Sequence, residues 1–340
     1  MISVLIATSD DKAGGIERAL HDQLALLTDV PHLEIAILCP HSAFYHHVQE
    51  TKHQLYHLSK ARKLAFRHIP SLAGLGFAKK FDIALCHNGF MASGLKRIAT
   101  IVIGICHNDK PHHFTFCDHL VCLTEKGRKK AHHANWPDDK ITVIPHYHHI
   151  DKTPDITIKK GALHIGAAGR MVAKKNLALF IEIACLVKQT HPQCQFSLGG
   201  TGPLYNEIAA FNQAKGNPVH LRGWTDFTPF LQSLDLFIIP SLDEPFGYVF
   251  PEAMAQGLGL LATPTFGADH CLDSGKVAPI IDAKSPQDFA HEICRLADDP
   301  AALYDLQQAC FAQVSSSLFA SETAKTSWLA LLHRHHGIKN

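Results

Sequence analysis

The 340-residue chain lacks a large net charge of either sign, a long apolar run, a paired-cysteine motif and a D-x-D triplet. Lys and Arg number 32 against 31 Asp and Glu, a formal net charge of +1 at pH 7. Such a balance, without any known nucleic-acid motif, argues against nucleic acid as a partner. No apolar stretch approaches the ~20 residues that a membrane-spanning helix needs. Met1-Ile-Ser-Val-Leu-Ile-Ala7 has no basic segment and runs into a polar loop, so it reads as a first strand rather than a signal peptide. The ten cysteines form no C-x-x-C pair, and Cys39, Cys86, Cys106 and Cys122 sit in apolar stretches. That usage points to reduced core thiols in the cytoplasm, not to disulfides or structural zinc. Without D-x-D, no acidic triplet is available to ligate a divalent ion beside a diphosphate. The 26 histidines include doublets at 46–47, 112–113, 132–133, 148–149 and 335–336, but no H-E-x-x-H frame. They read as compositional drift, and no metal is expected.

What is present is a hydrophobic content of 46% against 19% charged residues, enough for a sizeable soluble core in two domains. Short, continuous apolar runs alternate with helical patterns. Strands are expected at Ile2–Ala7, Leu33–Cys39, Phe81–Cys86, Thr100–Cys106, Leu120–Leu123 and Ile141–Pro145. A second series is expected at Leu163–Ala168, Gln195–Leu198, Val219–Leu221, Leu236–Ile239, Leu258–Ala262 and Val277–Ile281. Continuous rather than alternating runs suit parallel strands covered on both faces. Helices are expected near Gly15–Leu27, Asn176–Thr190, Leu204–Ala214, Pro286–Ala297, Ala301–Val314 and Ser321–His335. The pattern is that of α/β, doubly wound, Rossmann-like domains. The polar stretch Asp151–Gly161 separates the two series, giving domains over 1–155 and 156–316 and a C-terminal helix and tail over 317–340.

The chemistry-bearing residues cluster in the loops that follow these strands. Glu244 and Glu252 have seven residues between them, in Asp243-Glu-Pro-Phe-Gly-Tyr-Val-Phe-Pro-Glu252. This places one carboxylate on the loop after a buried strand and the other near the next helix start. A helix N-terminus attracts anions, phosphate above all. Two carboxylates beside a phosphate seat suit a ligand with hydroxyls at both ends and phosphate in the middle, such as a nucleotide sugar. Arg170 follows a strand end and Lys175 sits at the next helix start, as a fork and a point charge for a diphosphate. Gly199-Gly-Thr-Gly-Pro203, which includes Gly202, and Arg222-Gly-Trp-Thr-Asp226 offer backbone at the same edge. In the first half, Gly14 and Gly15 let the backbone approach a ligand ahead of a helix.

In order, the motifs G-G-x-E, G-R-x-x-x-x-K-N, G-x-G-P, G-W-T-D and E-P-F-G-x-x-x-x-E-A-M-A-x-G span nearly the whole chain. This order resembles the retaining GT-B glycosyltransferases of family 4. The resemblance implies two facing Rossmann-like domains with a C-terminal helix crossing back to the first. It implies a nucleotide-sugar donor and no metal or other cofactor. It also implies that Arg170 and Lys175 neutralise the donor diphosphate as the glycosidic bond breaks. Gly15, Phe246, Gly247 and Tyr248 would contact phosphates or sugar through backbone N–H groups. Glu252 would hold the ribose hydroxyls and Glu244 the sugar, with Trp224 and Thr225 near the base and Gly202 in the donor loops. His107 would lie at the end of a first-domain strand, near acceptor and sugar. Attack would come from the face the diphosphate leaves, with retention of configuration, unlike the paired-carboxylate route of glycoside hydrolases.

Three segments depart from the family pattern. Gly257-Leu-Gly-Leu-Leu261 lacks a proline, Phe266–Cys271 lacks an aligned glutamate, and His146-Tyr-His-His149 replaces the residues that follow Ile144-Pro145.

The stretch 52–80 holds Lys52, Lys60, Arg62, Lys63, Arg67, Lys79 and Lys80 without an acid, interleaved with Leu55, Tyr56, Leu58, Leu64, Phe66 and Leu75. Such a stretch suggests an anionic, membrane-borne acceptor, for example lipopolysaccharide core or a lipid-linked sugar. The expected protein is thus a cytoplasmic transferase, peripheral on the inner face of the membrane, with a UDP-sugar as the favoured donor. Two other readings remain beside it: a GT-B sugar-nucleotide epimerase, and a non-catalytic GT-B binding or scaffold protein.

Overall fold

A computed structural model of the chain describes residues 1–11, 14–41, 43–49, 51–158 and 161–337. Two compact units result, one of Met1–Tyr147 with Ala320–Asn340, the other of His148–Phe319.

The first unit is built on seven parallel strands: β1 (Ile2–Ala7), β2 (Leu33–Cys39), β3 (Gln54–His57), β4 (Phe81–Cys86), β5 (Ala99–Cys106), β6 (His119–Cys122) and β7 (Ile141–Val143). Their order is β3-β2-β1-β4-β5-β6-β7, with Ile2 opposite Leu33 and Val4 opposite Ile83. Val4, Leu5 and Ile6 are all buried, so both faces of β1 are covered. That double coverage is why its sequence is continuously apolar. Strand order reverses between β1 and β4, where ligands bind in open α/β sheets. The loops after these two strands are tied there: Thr8 Oγ1 and the Ser9 N–H both donate to Asn88 Oδ1, at 2.9 and 2.7 Å.

Helix Ser321–His336 belongs to this unit and buries Ala324, Trp328, Leu331 and Leu332. Each of the two leucines contributes roughly 1.5–3 kcal/mol when fully buried. His333 reaches His32 with 2.6 Å between their Nε2 atoms.

The second unit carries five parallel strands: β8 (His164–Ala168), β9 (Gln195–Gly199), β10 (His220–Gly223), β11 (Leu236–Ile239) and β12 (Gly259–Ala262). The order is β10-β9-β8-β11-β12, again reversing beside the first strand of the series. Helix Leu177–Thr190 is buried along Leu179, Phe180, Ile181, Ile183, Ala184 and Val187, and its core includes Phe289 and Ile293 of helix Pro286–Asp298.

One expected strand does not form. Val277–Ile281 makes a single bridge from Ile280 to Ala262, because Pro279 has no N–H to extend a ladder. The chain passes between units at Tyr147 and His148, upstream of Asp151–Gly161. Pro154 and Ile156 pack instead on the second unit, where a Cβ on Gly257 would stand 3.0 and 2.8 Å from them. Lys159 and Lys160 of that stretch lie outside the described residues. No helix among the described residues is long and apolar enough to cross a membrane.

Candidate functional site

The loops at the C-terminal edge of the second sheet are joined by backbone. The N–H of Gly169 donates to Gly199 O at 3.1 Å, that of Gly200 to Gly223 O at 2.7 Å, and that of Met171 to Thr201 O at 2.8 Å. Gly200 has φ +122°, and a Cβ there would stand 2.1 Å from Gly169 O. Only glycine permits that approach. The G-R, G-G-x-G and R-G-W segments are therefore one continuous rim.

Arg170 stands on this rim and is exposed. Lys175 ends a short 3-10 turn, Ala173–Lys175, and its aliphatic stem runs past Gly169, with Cε 3.5 Å from where a Cβ would be. Its ammonium contacts the Glu244 carboxylate directly. Ser241 Oγ donates to the same Glu244 oxygen at 2.9 Å. The neighbouring residues repeat the link, with Lys174 Nζ 3.8 Å from Asp243 and the Leu242 N–H donating to Lys174 O at 2.8 Å. Two residues expected in different roles, Lys175 on phosphate and Glu244 on sugar, thus meet each other. Ser241 was not singled out in the sequence. Its S-x-x-E spacing to Glu244 resembles a capping box, but here it serves a side chain in a loop.

The loop from Glu244 leads into helix Val249–Ala255, with Glu252 in its first turn, as the spacing predicts. Phe246 is buried and its ring packs near Tyr248, His270 and Phe319, so its side chain is withheld from a ligand. Gly247 turns at φ +76°. The divergent segment Phe266–Cys271 is a helix, N-capped by Thr265 Oγ1, which accepts from the Ala268 N–H at 3.1 Å. The Gly267 N–H donates to Glu244 O at 2.7 Å, and a Cβ on Gly267 would stand 2.0 Å from Phe246 O. This helix therefore braces the Glu244 loop. The Trp224 ring is 81% exposed, and Thr225 follows it on the same rim. Gly202 lies against Met171, whose carbonyl oxygen would be 2.6 Å from an added Cβ.

Gly15 and His107 belong to the first unit. Gly15 opens helix Gly15–Leu27 after Gly14, while Lys12 and Ala13 of that turn lie outside the described residues. His107 follows β5. Its Nε2 lies 2.9 Å from His87 Nδ1, and its ring is nearly parallel to those of His87 and His146, at centroid distances of 5.0 and 5.6 Å. Burial pushes the His107 imidazole down to about 4, and His87 and His146 well below the usual histidine range. All three are neutral at physiological pH. His87 and Gln23, which bonds it, are not evident as partners in the sequence, because the β4–β5 pairing brings His87 to His107 and the packing of helix Gly15–Leu27 brings Gln23 to His87. No group of three or more His, Cys, Asp or Glu among the described residues is arranged to hold a metal ion.

Residues 162–299 match the family model for glycosyl transferases group 1. The D-inositol 3-phosphate glycosyltransferase of Arthrobacter sp. (strain FB24) is 25% identical over 278 residues, 71% of this chain and 63% of its own length. The chain thus spans less than two thirds of that relative. The lipopolysaccharide core biosynthesis glycosyltransferase LpsE of Rhizobium meliloti is 25% identical over 195 residues, 55% of this chain and 56% of its own. Among solved structures, Anabaena HepE in complex with UDP and glucose aligns over 98% of this chain and 100% of its own, with TM-score 0.78 and 17% identity, a likeness of fold. Residues 162–299 are thus similar to the glycosyl transferases group 1 domain, within a chain of GT-B fold.

Proposed function

We propose that the protein is a retaining, metal-independent glycosyltransferase of family 4. It would move a sugar from a nucleotide sugar, with UDP as the favoured base, to a hydroxyl of a glycan or lipid-linked acceptor such as lipopolysaccharide core. The observation that carries this reading is the continuous rim bearing Arg170, Lys175 and Glu244 inside the family-matched segment. UDP in the Anabaena HepE structure and the core-biosynthesis name of the Rhizobium relative support the donor and acceptor classes.

In this reading the donor diphosphate takes Arg170 as a fork and draws the Lys175 ammonium from Glu244. Glu244 then accepts from sugar hydroxyls, and Glu252 from those of the ribose. Fixed cations at the leaving group stabilise charge that develops only as the glycosidic bond breaks. The acceptor hydroxyl attacks from the face the diphosphate leaves and passes its proton to a phosphate oxygen.

Membrane contact through 52–80 belongs to the same proposal. Glu50, at the edge of that stretch, lies outside the described residues. Helix Lys60–His68 and the turn after it expose Leu64, Ile69, Leu72 and Leu75 beside Lys60 and Arg67. Leu58 and Phe66 are buried, so only part of the apolar content is free for lipid.

The test is transfer from UDP-, GDP- and ADP-sugars to lipid-linked and core acceptors, with NMR of the product anomer. Loss of transfer in Arg170→Ala and Glu244→Ala, with a retained anomer in wild type, is expected. An inverted product would sink the retaining mechanism. Binding without turnover on any acceptor would favour a scaffold.

A further inference from the structure

Gln23, His87 and His107 come from three elements of the first unit and form one chain of hydrogen bonds. Gln23 lies on helix Gly15–Leu27 and is buried. His87 follows β4 and is 3% exposed, with its N–H donating to Ala7 O at 3.0 Å. Its Nε2 lies 2.9 Å from Gln23 Oε1 and its Nδ1 2.9 Å from His107 Nε2.

With Gln23 Oε1 facing His87, these contacts set the protons. A carbonyl oxygen only accepts, so His87 Nε2 carries the hydrogen it gives to Gln23. A neutral imidazole has one N–H, which leaves His87 Nδ1 as an acceptor. His107 Nε2 must then be the donor. The doubly protonated alternative for His87 is closed by its burial. The His107 ring lies nearly parallel to those of His87 and His146, at interplanar angles of 20° and 11°. A cavity of about 20 Å³, lined by Asp22, Gln23, His87, His107, His146 and Tyr147, is of a size for one water. Gln23 Nε2 has no partner among the described side chains and belongs to a residue lining that cavity.

We infer that Gln23 and His87 are positioning residues that hold His107 as the Nε2–H tautomer, leaving Nδ1 to accept a hydrogen bond from a ligand hydroxyl. The inference rests on the reading of His107 as a ligand-facing residue. Its chemical consequence is selective. A lone-pair nitrogen on a neutral ring takes a sugar or other polyol hydroxyl, and repels phosphate and carboxylate oxygens. The ligand group at His107 is thus an uncharged hydroxyl, and the ring is not a proton donor through Nδ1.

The experiment is two-bond ¹H–¹⁵N correlation NMR on ¹⁵N-histidine-labelled protein at pH 7. His87 and His107 should both show the Nε2–H pattern. Gln23→Glu keeps an acceptor and should preserve it, whereas Gln23→Met should shift His107 toward a mixture of tautomers. In the transfer assay, Gln23→Met should lower kcat about tenfold, with Gln23→Glu recovering most of it. An Nδ1–H signal on wild-type His107, as a reversed Gln23 amide would produce, overturns the inference. An unchanged His107 tautomer in Gln23→Met does the same, and if that variant does not fold the wild-type spectrum decides alone. The expected tautomers in a protein that transfers no sugar would defeat the glycosyltransfer reading and leave the relay standing.

Discussion

The Lys175 ammonium sits directly on the Glu244 carboxylate, with side-chain exposures of 19% and 7%. A pair this sheltered is more expensive to break than to keep. Removing one member strands the other charge in a place that solvates it poorly. Lys175→Met should destabilise the protein by about 3 kcal/mol, and Lys175→Met with Glu244→Gln should recover most of the loss. Arg170→Ala, at an exposed position, should stay within about 0.5 kcal/mol of wild type. Urea unfolding of the four proteins measures all of this. Equal midpoints for the Lys175 and Arg170 variants would remove the pair from the stability account.

Gly267 has no room for a side chain, because a Cβ there meets Phe246 O at 2.0 Å. Gly267→Ala should push helix Phe266–Cys271 off the Glu244 loop and destabilise by about 1–3 kcal/mol. Sugar transfer should fall further than that loss of stability accounts for, because Gly267 N–H holds the Glu244 carbonyl. A melting curve and a transfer rate at a temperature where both proteins are folded separate the two effects.

His107, His119 and His270 are each pushed down from 6.5 to about 4, mainly by burial. Between those values the unfolded chain binds the extra protons, so folding stability is complete above about pH 6.5 and drains away as pH falls toward 4. The melting temperature should be flat from about pH 7 to 8 and decline steadily below 6.5. His119 bonds Thr142 Oγ1 at 2.8 Å, and His119→Gln can keep that bond without titrating. That variant should show a shallower decline, and an unchanged slope would clear His119 of the effect.

Leu64 and Leu75 are 53% and 67% exposed, so charging them leaves the core untouched. Leu64→Glu with Leu75→Glu should change stability by no more than about 0.5 kcal/mol per site. Pelleting with anionic liposomes should fall several-fold. Equal pelleting of wild type with neutral and anionic vesicles would refute the membrane reading outright.

Most of the fold was legible because buried parallel strands advertise themselves as continuous apolar runs. β1, β2, β4 and β11 fall where Ile2–Ala7, Leu33–Cys39, Phe81–Cys86 and Leu236–Ile239 place them. β3 escaped notice because it is an edge strand of four residues, Gln-Leu-Tyr-His, half of them exposed. Val277–Ile281 misled because its apolar content is strand-like while Pro279 denies it a ladder. In the site, the loops and their order were readable, since glycines and charges at strand ends leave a one-dimensional trace. The meeting of Lys175 with Glu244 was not, since 69 residues separate them and only the β8–β11 pairing joins them. Gln23 and His87 were hidden for the same reason.

The His148 N–H donates to Phe319 O at 3.0 Å, so the chain enters and leaves the second unit at one hydrogen bond. In genetic terms the second unit is an insertion within the first. Residues 148–319 can close on themselves during synthesis, while residues 1–147 still wait for Trp328, Leu331 and Leu332 to cover their sheet. The unit translated first is therefore completed last. Its unfinished apolar face is what the ribosome and its attendant chaperones must shield until helix Ser321–His336 emerges.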